Sequence, residues 1–398
     1  MKPGLAIAGM VLTEIVIAFS LLLFVDVRHT DFLNFYAAAT IVRHGDAPTL
    51  YTRETQELAL EGILGYRTAD YFLHPPFEAA AFVPLTYMPF KQAFLVWSLI
   101  NAVLLGCLPL ILSGFIPLIV QKPSLSLLPF AFLPALTALS LGQDCILVTF
   151  LICVTFLLTH RNHPVLAGLI LSLATVKFQY VLVLALLLLV ARKYRLIAGF
   201  LMGSFALMGV CISLIGPAGL LQSARFLQAS SRGFATGRQA MMMDFPALLA
   251  ASGWTSHIYL CWILVSAALL ALGIAGARAI RHEHNVNLVL SLFLAIAIAV
   301  SPYSHFQDVT VLLPAIYMAA ELAIRGEMQK IRGNVAVACC ALLFLLPAIL
   351  LILGTHIFWY GELLFVLPII FVFAGNLGVE VFARSRQSSL PDVTALVN

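Results

Sequence analysis

Apolar runs long enough to cross a lipid bilayer recur along almost the whole of this 398-residue chain, separated by short stretches in which basic residues collect. A hydrocarbon core of about 30 Å needs about 20 apolar residues per helix, and in lipid every backbone N–H and C=O must find a partner inside its own segment. Repeated helices satisfy that demand. Only 10% of the residues are charged and 62% are hydrophobic, where a soluble domain carries about 25% charged residues. A soluble enzyme is therefore excluded. The chain reads as one all-α polytopic membrane domain, residues 1–383, followed by a short polar tail, 384–398. Its net charge of +4 carries no nucleic-acid signal, because the basic residues fall in clusters between apolar runs instead of on one solvated face. The seven cysteines lie mostly inside apolar runs, show no metal-ligand spacing and read as small buried hydrophobes.

Candidate spans lie near 5–25, 92–119, 125–141, 145–159, 164–176, 179–190, 196–215, 256–276, 286–301, 308–324, 334–354 and 363–382, about twelve transmembrane helices. The first is too long for a signal h-region and is read as retained. With both termini cytoplasmic, thirteen of the 22 basic residues face the cytoplasm. Among short outer loops only Lys177 is basic, as the positive-inside bias requires. A single helix over 164–190 would reverse every later loop, so two short helices or a re-entrant hairpin meeting at Lys177 are expected. Twelve of the 18 acidic residues then fall outside. Two long outer segments, about 26–91 and 216–255, remain. Stretches 52–66 and 76–90 of the first read as interfacial helices, since Pro75, Pro76, Pro84 and Pro89 prevent a span there.

Five polar strings stand at outer helix ends, where they can converge on one cavity. In DVRHTDFLNFYAAA (26–39), Asp31 sits close enough to the low-dielectric region to act as a general base, or else it caps a helix ahead of Phe35 and Tyr36. In YFLHPPFE (71–78), His74 donates or accepts a proton or is a hydrogen-bonded bystander. In LGQD (141–144), Gln143 and Asp144 bind hydroxyls or cap the next helix. In VKFQY (176–180), Lys177 is an ion at the membrane edge, paired with a phosphate or with Asp308 or Asp144. In SPYSHFQD (301–308), Ser304, His305, Gln307 and Asp308 crowd one turn, and each group buried there needs a partner. The outer arginines Arg225, Arg232 and Arg238 hold an anion or lie against lipid headgroups. Glu14, inside the first span, has no partner that the sequence identifies.

In order, these strings resemble glycosyltransferase family 87, polyprenyl-phosphate-mannose-dependent mannosyltransferases of the GT-C superfamily. The resemblance rests on Asp31, Phe35, Tyr36, Ala38, Ala39, Gly45, Leu50 and Tyr51, then on His74-Pro75-Pro76, Gly142-Gln143, Lys177, and Ser301-Pro302, Ser304 and Asp308. Where the family typically has Tyr, Asn and Pro, this chain has His74, Asp144 and Phe178. The resemblance implies a GT-C-like bundle in the cell (inner) membrane with its site on the periplasmic or extracellular face. It implies transfer of a single sugar, mannose, from a polyprenyl-phosphate donor to a glycolipid or glycan acceptor, with inversion and without a metal or other cofactor. Asp31 matches the catalytic base. Lys177, His305 and Arg238 are the expected phosphate-binding groups, and Tyr36, His74, Gln143, Asp144, Gln179, Ser304 and Asp308 the expected sugar- or acceptor-binding groups. A lipid-linked oligosaccharide ligase or polymerase is the nearer alternative. A transporter is the more distant one, since charge gathers at one face here and no repeat relates the halves.

Overall fold

The computed structural model describes residues 26–68, 71–234, 257–279, 286–301, 304–326 and 333–343 except 336, with a few isolated positions. The expected spans 5–25 and 363–382, most of 334–354, and Glu14 and Arg238 lie outside the described residues. Among those described, the chain is all-helical. By length and composition five helices are apolar enough to cross a membrane: Phe90–Leu112, Pro164–Val190, Tyr194–Ala229, Ile258–Ala277 and Phe306–Ile324. A sixth appears if Pro123–Ala131 and Leu133–Leu141, bent by 55°, form one broken span. Leu201, Phe205, Tyr259 and Leu264 are large apolar side chains exposed along these helices, as contact with lipid tails requires.

The first long described stretch begins with α1 (Phe32–Arg43), α2 (Arg53–Leu64) and α3 (Pro76–Phe82). Thr52 caps α2, accepting from the Thr55 N–H, and Gly65 ends it in the left-handed conformation. Gln56 fastens α2 to the following loop by donating to the Leu50 carbonyl and accepting from the Phe72 N–H at 2.7 Å. Next come α4 (Phe90–Leu112), α5 (Leu133–Leu141), α6 (Cys145–His160), α7 (Pro164–Leu173) and α8 (Phe178–Val190). Helix α9 (Tyr194–Phe234) is broken at Gly216, whose φ of 70° and ψ of 169° lie outside helical space, just before Pro217. Helices α10 (Ile258–Ala279), α11 (Val286–Val300) and α12 (Leu313–Ile324) complete the described bundle.

The run 164–190 is long enough for one span, but the chain reverses within it. Lys177 has φ −107° and ψ 60°, which interrupts the helix. Three glycine contacts give the relative direction of α7 and α9. A Cβ on Gly168 would stand 1.9 Å from the Leu196 carbonyl oxygen, one on Gly199 2.1 Å from that of Val165, and one on Gly203 2.0 Å from Ser172 Oγ. The register advances in the same sense on both helices, so α7 and α9 run parallel with backbones in contact, a packing that only small residues permit. Only residues 191–193 separate α8 from α9, so α8 returns toward the level at which α7 starts, and the interruption at Lys177 lies between the two short helices.

This alternation collects the starts and ends of many helices at one end of the bundle. The core beneath is fully buried and aromatic near that end: Phe32, Phe35, Phe94, Phe132 and Tyr180 are each at most 1% exposed.

Candidate active site

Asp31 stands at the N-terminus of α1, yet its side chain makes no capping hydrogen bond. Its backbone is fixed by the next residue. Phe32 packs against Phe82, Phe90 and Phe94, with ring centroids 5.9 Å apart in each pair. The carboxylate is left for longer-range partners: Oδ2 accepts from Gln143 Nε2 at 2.6 Å and from Gln307 Nε2 at 3.5 Å.

Gln143 reaches that position through the turn before it. Gly142 ends α5 with φ 64°, a conformation natural to glycine, and a Cβ there would stand 2.8 Å from Phe32 Cβ. Its carbonyl accepts from Trp97 Nε1 at 2.8 Å. The Gly142 turn thus brings Gln143 to Asp31 and Asp144 to the head of α6, where the Asp144 side chain also makes no capping bond. The capping alternative for both aspartates is set aside by this geometry.

Lys177, only 6% exposed, lies in the reversal between α7 and α8. Its Nζ is 3.2 Å from Asp144 Oδ1 and 3.3 Å from Asp308 Oδ1, and donates to Gln143 Oε1 at 3.4 Å. An ammonium can only donate, so it fixes the Gln143 amide with its oxygen toward Lys177 and its NH₂ toward Asp31. One glutamine therefore links the cation to the acidic residue. Two carboxylates offset the desolvation of the buried ammonium, a cost of several kcal/mol if it stood alone.

His74 extends the network. Its Nδ1 lies 2.9 Å from Glu78 Oε2 and 3.5 Å from Asp144 Oδ2, while its ring meets Phe35 edge-on at 5.0 Å. Burial works against a charge on this imidazole, but the Glu78 and Asp144 carboxylates outweigh it and push its pKa up to about 10. His74, Glu78 and Asp144 place ligand-capable atoms within 4.8 Å of one another, an arrangement able to hold a metal ion. Asp308 closes the other side: its Oδ2 accepts from the His305 backbone N–H at 2.8 Å at the start of the turn 306–312. Ser304 Oγ lies 3.3 Å from the Tyr180 hydroxyl, which donates to it.

The structure thus unites Asp31, His74, Gln143, Asp144, Lys177 and Asp308, with the His305 backbone beside Asp308 and Ser304 buried against Tyr180. Tyr36 bonds elsewhere, its hydroxyl donating to the Met88 carbonyl at 2.8 Å. Gln179 lies half-buried two residues past Lys177. Sequence reasoning passed over Glu78 and Gln307 as site residues. Glu78 follows His74 by four residues, which is a detectable signal, whereas nothing local ties Gln307 to a residue 276 positions earlier.

A carboxylate gripped by two amides beside a buried ammonium can accept a proton from a hydroxyl while positive charge stands near a developing anion. The family model for glycosyltransferase family 87 matches residues 72–302 of the chain. No curated protein and no solved structure matches.

Proposed function

The chain belongs to glycosyltransferase family 87 and is a membrane glycosyltransferase, and from that premise we propose that it transfers a single sugar, mannose, from polyprenyl phosphate to a glycolipid or glycan acceptor. The observation that carries the mechanism is the hydrogen bond between Gln143 and Asp31, with Lys177 on the far side of the same amide.

In this mechanism Asp31 removes the proton of an acceptor hydroxyl as its oxygen attacks the anomeric carbon from the face opposite the phosphate. The new carbon–oxygen bond forms as the old one breaks, inverting a β-linked donor to an α-glycoside. The bonding electrons leave with the lipid phosphate, whose charge Lys177 stabilises together with His305 and Arg238. Gln143 and Gln307 hold the carboxylate in a fixed orientation, so no reorganisation is needed as charge moves. Ser304, Gln179 and Tyr36 contribute contacts to sugar or acceptor.

The bundle has about twelve membrane-spanning helices in the cell membrane, with both termini cytoplasmic and the site at the outer face. Helices α2 and α3 lie in the membrane interface, above the bundle. There a polyprenyl chain rests in lipid while its phosphate reaches Lys177.

The test is to incubate the purified full chain in nanodiscs with polyprenyl phosphate mannose and a glycolipid extract, following transfer by mass spectrometry. A mannosylated product made by the wild type, and reduced about a thousandfold in Asp31→Asn, supports the proposal. Transfer only from a pyrophosphate-linked oligosaccharide overturns the donor assignment, and equal rates in both proteins overturn the role of Asp31.

A further inference from the structure

The acidic network is larger than proton transfer requires, and its charge does not balance among the described residues. Three buried carboxylates, Glu78, Asp144 and Asp308, are joined by contacts of 3.5 Å or less to the basic side chains of His74 and Lys177. Glu78 is 3% exposed, Asp144 fully buried and Asp308 1% exposed, so water cannot offset the excess anions. Among these five side chains, with both bases charged, one negative charge remains.

The excess is focused at one point. His74 Nδ1 faces two carboxylate oxygens and carries at most one proton, so it can serve only one of them as a donor. Neither contact has hydrogen-bond alignment: His74 Nδ1, Glu78 Oε2 and both oxygens of Asp144 are buried atoms without a hydrogen-bond partner among the described residues. Nearly buried oxygens and a ring nitrogen are aimed into the same small space.

We propose that His74, Glu78 and Asp144 form a binding site for a divalent transition-metal cation of the manganese or zinc type. The spacing suits coordination. A cation about 2.1 Å from His74 Nδ1 and from a carboxylate oxygen would see Glu78 Oε2 at roughly 90° and Asp144 Oδ2 at roughly 110°, angles of octahedral and tetrahedral sites, and the two carboxylate oxygens lie within 4.8 Å of one another. One imidazole with two carboxylates combines the ligand preferred by zinc with those preferred by manganese. Three protein ligands leave open positions for water or an anionic oxygen. His74 is 18% exposed, which gives an ion a way in.

Glu78 completes the set from the first turn of α3. Asp144 Oδ2 turns to the cation while Oδ1 keeps Lys177, so the metal sits one carboxylate away from the ammonium. A positive ion there offsets the surplus acidity that would otherwise repel a phosphate group. That last consequence rests on the proposed donor, whereas metal binding itself does not.

The test is direct binding to the intact, chelator-treated chain in detergent, using Mn²⁺ followed by electron paramagnetic resonance and Zn²⁺ followed by elemental analysis. The expected result is one equivalent of Mn²⁺ or Zn²⁺ per chain, with affinity reduced about tenfold or more in Glu78→Gln and in His74→Asn. Each variant is first shown to unfold cooperatively without metal, so lost binding is not lost folding; should one fail to fold, the other decides. Retention of neither metal by the folded wild type, or unchanged affinity in the folded variants, overturns the site. Binding without mannose transfer would leave the cation site standing and send the donor assignment down alone.

Discussion

The two ends of the bundle solve the same problem in opposite ways. At the end away from the candidate site, His160 stacks on Phe115 with centroids 5.0 Å apart and hydrogen-bonds Asn287, whose Nδ2 donates to the Phe115 carbonyl at 3.2 Å. Glu321 pairs with Arg325 one turn later at 2.8 Å. The imidazole and the amide meet neutral neighbours and Glu321 meets a cation, and the Phe115, His160 and Asn287 contacts tie the end of α6 to the start of α11. At the site end, side chains from five separate stretches of chain converge, acids outnumber bases, and two aspartates at helix starts decline to cap. Pairing without surplus charge marks a polar cluster that holds the fold. Convergence with charge left over marks one kept for a ligand, since such an arrangement costs stability for which folding alone gives no reason.

The comparison breaks most visibly at Lys177. Lys177→Met leaves Asp144 and Asp308 buried without their cation, and unfolding in denaturant should show a loss of about 3–5 kcal/mol. Adding Asp308→Asn to that variant should return part of it. Arg325→Ala, whose side chain is 38% exposed, should cost far less by the same measurement.

Gln143→Met sharpens the claim that the glutamine positions Asp31 and is not merely packed. Transfer at saturating donor should fall about tenfold or more, with the unfolding midpoint nearly unchanged, because the Asp31 carboxylate loses its closest donor. At the other end, Asn287→Ala removes the donor to the Phe115 carbonyl and should lower stability by about 1 kcal/mol without altering turnover per folded molecule.

A pH dependence follows as well. The folded chain raises the His74 pKa from its ordinary 6.5 to about 10. A proton held more tightly in the folded state stabilises it fully below the unfolded value and not at all once pH has passed the folded one. In chelator-treated protein the melting temperature should therefore decline by a few degrees between pH 7 and 10, and His74→Asn should lack that component.

Much of this was legible in the sequence because bilayer physics is local. Apolar run length marks the helices, and basic clusters mark the turns at one end. Charge placement led to an expected break at Lys177, as two short helices or a re-entrant hairpin, and the helix is interrupted there, with Gly168 and Gly199 setting α7 against α9. The roster of polar residues at one end was also readable, as Asp31, Gln143, Lys177 and Asp308 illustrate. Pairing was not. Whether Asp144 caps α6 or meets Lys177 depends on how Gly142 turns against Phe32, a contact between residues 110 positions apart. The same holds for Gln307 at Asp31 and for the His74, Glu78 and Asp144 group, whose third member arrives from a different helix.

The central claim is that chemistry belongs to the end with surplus acid and not to the end with paired polar groups. The most direct measurement compares single-turnover mannose transfer by Asp31→Asn and Asn287→Ala in nanodiscs, each normalised to folded protein. The account predicts transfer at the wild-type rate by Asn287→Ala and a loss of about a thousandfold in Asp31→Asn. Wild-type transfer by Asp31→Asn, or equal impairment of the two, would contradict it.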